Sequence, residues 1–227
     1  MHDDQLALPF SPPRQLTFFN FSGRDNEELI AHLSTQPKGF GATWIHGASG
    51  VGKTHLLQAA VHAQKGFGFR CANVDASQAS IIKDQKRLLA HEFVAVDNVA
   101  AWLGDRSSEE ALFSLYQSLV QRGGRLLLAD AVAPLQRTFL LPDLASRMRA
   151  TQVFEVWALN EVGIRQLLQR RARDRGLQLN RPVLDYWLTR RNRSLAALLD
   201  DLDSLDAAIW KSQRRLTVPY LKSVLTN

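Results

Sequence analysis

The sequence predicts an α/β fold, a five-stranded parallel sheet with flanking helices followed by a small all-helical domain. Three observations carry this. Short apolar runs alternate with amphipathic segments from about residue 40 to Val156. Some of the runs are apolar on both faces, as in Leu126-Leu127-Leu128, which fits strands covered from above and below. Beyond Val156 the strand-like runs stop and only helical periods remain.

In order, residues 1–16 read as an extended tail, because Pro9, Pro12 and Pro13 remove backbone donors and exclude a regular helix. The α/β domain spans 17–157. Its strands are expected at Ala42–His46, Phe69–Val74, Phe93–Asp97, Arg125–Asp130 and Gln152–Val156. Helical patterns separate them at Lys53–Ala63, Ser77–Leu89, Ser107–Gln121 and Leu141–Met148. The helical domain covers 158–227. Asn160 is placed to cap a helix running to about Arg175, with Gly176 ending it. A second helix carries Val183, Leu184, Trp187 and Leu188. The third has the clearest period, with Leu195, Leu198, Leu199, Leu202, Leu205 and Ile209 on one face. A last helix follows Thr217.

The chain has 227 residues, a 45% apolar share and 22% charged residues, which fits a globular protein rather than a disordered one. A single cysteine, Cys71, excludes an internal disulfide and a cysteine-rich metal site. The acidic start lacks the blocks of a signal peptide, and no apolar run has the length of a membrane span, so a cytoplasmic setting without a membrane partner is expected. The net charge of +6 is unevenly spread. Residues 1–156 hold 15 basic and 15 acidic side chains, and residues 157–227 hold 13 and 7. The positive excess therefore lies in the helical domain, as a solvated arginine-rich face or a contact for an acidic partner.

Gly47-Ala48-Ser49-Gly50-Val51-Gly52-Lys53-Thr54 matches G-x-x-x-x-G-K-T between an apolar strand and a helix, the context that a phosphate-binding loop needs. Its glycines let backbone N–H groups curl around phosphates at a helix N-terminus. Lys53 would reach the β and γ phosphates, and Thr54 would bind Mg²⁺. His55, directly after the motif, is counted with the nucleotide-binding residues. Phe93-Val94-Ala95-Val96-Asp97 reads as the second phosphate-side strand, with Asp97 holding Mg²⁺ through water. Asn98 follows, where many such ATPases place a carboxylate. A neutral amide orients a water but does not take its proton at pH 7, so little hydrolysis by this chain alone is expected. Asp130 closes a strand near the expected γ-phosphate position. Arg147 and Arg193 stand at element ends, and arginines in such places serve phosphate chemistry from a neighbouring subunit or a lid.

Together these features resemble the AAA+ family, and more narrowly its DnaA-related branch, which includes the replication initiator and short regulatory homologues of the Hda type. Thr17-Phe18-Phe19-Asn20-Phe21 with Asn26 is similar to the stretch that wraps the adenine in this group, which implies nucleotide contacts for Phe21 and Asn26. Leu141-Pro142-Asp143-Leu144-Ala145-Ser146-Arg147 resembles the element that carries an arginine finger, implying that role in trans for Arg147. Asn192-Arg193-Ser194-Leu195 resembles the second sensor, so Arg193 is implied to touch nucleotide from the lid. Arg215-Leu216-Thr217-Val218-Pro219-Tyr220 resembles the start of the last lid helix. Unlike an initiator, the chain shows no helix-turn-helix segment after the lid and no folded interaction domain ahead of the loop. The interval from Asp75 to Asp97 is also short for an extra helix used on single-stranded DNA. Sequence-specific DNA recognition is therefore not expected.

Gln5-Leu6-Ala7-Leu8-Pro9-Phe10 resembles the peptide with which bacterial proteins dock on the β sliding clamp. Pro9 biases Leu8 towards extended backbone, Leu6, Leu8 and Phe10 are apolar anchors, and Gln5 can make paired hydrogen bonds. The resemblance implies an adaptor that binds the DNA-loaded clamp and stimulates ATP hydrolysis by DnaA, restraining replication initiation. It implies ADP or ATP with Mg²⁺ as ligand, ADP preferred, with DNA met only through the clamp and self-association left open. Two alternatives stand beside it: a stand-alone ATPase of the helicase-loader type, and a nucleic-acid-binding module using Arg170, Arg171, Arg173 and Arg175, of which 171 and 175 share a helix face.

Overall fold

The computed structural model describes residues 16–21, 24–35, 38–190, 194–212 and 215–225. Five parallel strands, β1 (Gly41–His46), β2 (Cys71–Asp75), β3 (Phe93–Asp97), β4 (Arg125–Asp130) and β5 (Gln152–Glu155), form one sheet in the order β2-β3-β4-β1-β5. Strand β1, which leads into the phosphate loop, lies between β4 and β5, so the tips of β3 and β4 stand beside the loop.

Alternation along the strands sends side chains to two faces. On one face Ile45, Phe93, Ala95, Leu127 and Ala129 pack with α1 (Glu27–Ser34) and α2 (Lys53–Gly66). On the other, Trp44, Val94, Val96, Leu126 and Leu128 pack with α3 (Ile81–Leu89), α4 (Arg106–Arg122) and α5 (Pro142–Arg149). The phosphate loop's helix and Arg147's helix therefore occupy opposite faces. Helices α6 (Glu161–Arg173), α7 (Arg181–Arg190), α8 (Leu195–Ser212) and α9 (Val218–Leu225) bury a separate core around Trp187, Leu198, Leu202 and Leu205. Among the described residues no helix is long and apolar enough to cross a membrane.

The element order agrees with the sequence, while several boundaries differ. Strand β2 begins at Cys71 rather than Phe69, and β5 ends at Glu155 rather than Val156. Helix α3 begins at Ile81 rather than Ser77, because the Asp75 carboxylate accepts from the Ser77 N–H at 3.0 Å and from its hydroxyl at 2.7 Å, which holds the chain in a turn. Ser80 then caps the helix. Helix α1 lies where no helix was expected. Asn160 caps α6 by accepting from Gly163 N–H at 2.9 Å, and the helix proper stops at Arg173, ahead of Gly176 in the left-handed region.

Candidate functional site

Gly52 is the N-cap of α2 at φ +104, and a Cβ there would meet the Phe21 ring at 2.7 Å. Gly47, at φ +150, would meet the Val156 carbonyl at 2.6 Å. These two positions admit only glycine, while a Cβ on Gly50 would meet nothing within 4 Å. The open side of the curl lies there. Lys53 Nζ turns back on the carbonyls of Gly47 at 2.6 Å and Ala48 at 2.8 Å, with no carboxylate in ion-pair contact among the described residues. Burial lowers its pKa, and the Asp97 and Asp130 carboxylates pull it back up. Lys53 thus lies within electrostatic reach of both strand-tip carboxylates. A cation held by carbonyls alone, beside a glycine curl at a helix N-terminus, suits a polyphosphate.

Thr54 donates its hydroxyl to the buried Asp97 carboxylate at 2.5 Å. The hydroxyl and carboxylate that a divalent ion on a nucleotide would need are therefore already neighbours. Asn98, the one described non-glycine residue at positive φ (+53), donates its amide to Asp75 Oδ1 at 3.0 Å. Asp75 also accepts from Ser77 and Gln78, and the Ser77 and Asn98 bonds hold its carboxyl below the usual range. Position 98 is thus committed to β2.

Asp130 is buried and fully engaged. Its carboxylate accepts from Arg137 Nε at 2.7 Å, from Arg137 Nη2 at 2.6 Å and from Ala131 N–H at 2.6 Å. Both oxygens are taken by these donors. Sequence reasoning missed Arg137, seven residues away in an irregular stretch.

The segment ahead of the loop is pinned to both ends of the site. Phe21 packs on Gly52 and meets the His55 ring edge-on, with centroids 5.3 Å apart. His55 Nε2 is 2.9 Å from the Thr17 carbonyl. Its pKa is lowered by burial and by Arg171 and Arg170, while the Thr17 bond works the other way. Asn26 is buried and exchanges two 3.0 Å hydrogen bonds with the backbone of Trp157, between β5 and α6. Its amide ties this segment to the start of the helical region.

Arg147 projects from α5, exposed, and forms no ion pair among the described residues. Leu144, Ala145 and Met148 anchor that helix in the sheet face away from α2. Its entry is fixed by Glu109 of α4, a second residue the sequence did not reveal. The fully buried Glu109 carboxylate accepts from Leu140 N–H at 2.8 Å, Leu141 N–H at 2.9 Å and Gly104 N–H at 2.9 Å.

The expected arginine face of the helical domain is corrected. Arg171 is buried and Arg175 is almost so, with Arg175 paired to Asp203 and, at 3.5 Å, to Asp206 of α8. Arg170 reaches the Phe19 carbonyl at 3.4 Å. Acids on α8 hold Arg175, and Arg170 faces the loop segment, so the inward-turned 171 and 175 present no basic stripe to a nucleic acid. Arg193 and the tail residues Gln5, Leu6, Leu8, Pro9 and Phe10 lie outside the described residues.

Residues 162–225 match the family described as Hda, lid domain. The fold is similar to that of domain III of DnaA from Thermotoga maritima, with a TM-score of 0.80 at 17% identity over 95% of this chain and 98% of that one. AMPPCP-bound DnaA from Aquifex aeolicus matches with a TM-score of 0.73 at 20% identity, over 92% and 68% of the two chains. A single-residue variant of RuvB from Thermotoga maritima matches with a TM-score of 0.71 at 13% identity, over 94% and 73%. A glycine loop thus follows the strand between β4 and β5 of a five-stranded parallel sheet whose fold is similar to that of DnaA domain III, and residues 162–225 match the Hda lid family.

Proposed function

We propose that the chain is a nucleotide-bound adaptor that docks on the DNA-loaded β sliding clamp and stimulates ATP hydrolysis by DnaA, so restraining initiation. The observation that carries this reading is the division between two positions. Asn98, beside the chain's own phosphate loop, is held by Asp75, whereas Arg147 stands exposed on the opposite sheet face without an acid partner among the described residues. An arginine supplied in trans stabilises charge on the transferred phosphoryl and is worth roughly 10³–10⁵ in rate.

ADP or ATP would sit on the loop at Gly47, Ser49, Gly50, Val51, Gly52, Lys53 and Thr54, with His55 and Phe21 bracing it. One solved relative of the same fold is bound to AMPPCP, which supports a nucleotide here. Mg²⁺ would enter with the phosphates beside Thr54 and Asp97, supplying charge neutralisation. Among the described residues no cluster of acidic, histidine or cysteine side chains would hold a metal unaided. Asp130 would act through Arg137, Asn26 through Trp157, and Arg193 from the lid. The Gln5–Phe10 peptide would engage the clamp, and DNA would be met through it.

Two assays on the isolated chain test this. It should bind ADP and ATP while turning over ATP no faster than a Lys53→Ala control, and the clamp should retain it but not a Gln5→Ala/Leu8→Ala variant. Sustained turnover would favour the stand-alone ATPase, and clamp binding indifferent to the tail would sink the adaptor.

A further inference from the structure

At the end of the sheet away from the phosphate loop, the first residues of β1, β4 and β5 surround a polar cavity of about 450 Å³, lined by His32, Thr35, Tyr116, Arg125, Thr151 and Gln152 among others. Arg125 opens β4, and its guanidinium lies against Gly41. A Cβ there would sit 3.0 Å from Nη1 and 3.1 Å from Cζ, so the missing side chain makes the room. Among the described residues nothing answers this charge. The Arg125 Nε is shielded from solvent and has no hydrogen-bond partner there. Burial alone lowers the group's pKa, with no carboxylate acting on it. Its neighbour His32 is held at Thr43 Oγ1, 2.9 Å away, and its pKa is lowered by burial and by Arg125 itself. Arg137 and Arg175, also drawn into the protein, each have an acid partner.

A guanidinium has five donors in a planar fork, and buried donors such as this Nε are nearly always satisfied. The fork matches the paired oxygens of a carboxylate or phosphate, and the cavity volume is in the range of small-molecule sites. Tyr116 and Gln152 line the same space and carry further donors, with Phe40 packed edge-on to Tyr116 at 5.0 Å. We propose that this cavity is a binding site for a small oxoanion, a carboxylate or a phosphate, gripped by Arg125. It is separate from the nucleotide site and does not rest on the adaptor reading.

The test is an NMR titration of the ¹⁵N-labelled full chain with sodium phosphate and, separately, sodium acetate, at ionic strength fixed with sodium chloride. The resonances followed are the Arg125 Nε–H and the amides of Gly41, Ala42, Ala150 and Gln152. At least one anion should shift them saturably with a dissociation constant below about 1 mM, identifying which oxoanion the site takes. The affinity should fall at least tenfold in Arg125→Gln. Should that variant not fold, Gln152→Ala must weaken binding at least threefold. Shifts linear in concentration, shifts confined to the amides of Gly50–Thr54, or shifts unchanged in the folded variant would overturn the proposal.

Discussion

Asn98 donates its side-chain amide to Asp75, joining the tips of β3 and β2 at 3.0 Å. This bond turns position 98 away from proton transfer and into the frame of the sheet. A carboxylate in its place would face Asp75, whose pKa is already held down by Ser77 and Asn98. Asn98→Asp should therefore lower stability by about 1–2 kcal/mol at pH 7 through a lost hydrogen bond and like-charge contact. Adding Asp75→Asn should restore most of it. Urea midpoints of the three proteins check this.

Asp130 and Arg137 form the second coupled pair. Arg137→Ala leaves a buried carboxylate with one backbone donor, and should cost about 2–3 kcal/mol, less than a fully buried pair because Arg137 is partly solvated. Arg137→Lys keeps the charge but loses the forked contact, so it should lie between the two. A further Asp130→Ala should add little to Arg137→Ala. A double-mutant cycle measured by chemical unfolding tests that coupling.

Glu109 is expected to govern Arg147 from a distance. Glu109→Ala removes the acceptor for three backbone N–H groups in the interior and should destabilise by about 3 kcal/mol. Glu109→Gln should retain part of the network and cost less. Amide exchange at Leu140 and Leu141 should accelerate in both, more than at β1.

Two histidines set the acid response. His55 and His32 have pKa values lowered in the folded state, first by burial. The unfolded chain therefore binds more protons just below the ordinary histidine value of about 6.5. Stability from the neutral rings is present above that value and declines as pH falls below it. The thermal midpoint should drop between pH 7.5 and pH 5.5, and the drop should shrink in a His32→Gln/His55→Gln double variant. An equal drop in both proteins would remove these groups as the cause.

Much of this was legible in the sequence where the signal is contiguous. The loop from Gly47 to Thr54 declares itself through fixed spacing, β3 through an apolar run ending in Asp97, and α8 through leucines at helical intervals. What stayed hidden depends on partners brought together only by the fold. Glu109 meets Leu140 and Leu141 thirty-one and thirty-two residues on. Asn26 meets Trp157 across 131 residues. Neither carboxylate nor amide differs locally from a surface side chain. The burial of Arg171 and Arg175 stayed hidden for the same reason, because helical period shows which residues share a face but not that Asp203 and Asp206 lie opposite Arg175. That Arg125 lies against Gly41 likewise depends on strand pairing and not on its local sequence.

The central claim is that chemistry on the partner's nucleotide runs through Arg147. The most direct measurement is single-turnover hydrolysis of ATP bound to DnaA, with clamp loaded on DNA, comparing the intact chain with Arg147→Ala. The side chain is exposed, with no ion pair among the described residues, so the variant should fold and bind the clamp normally while the stimulated rate falls at least a hundredfold, as loss of a trans arginine implies. Equal stimulation by the two proteins would contradict the account.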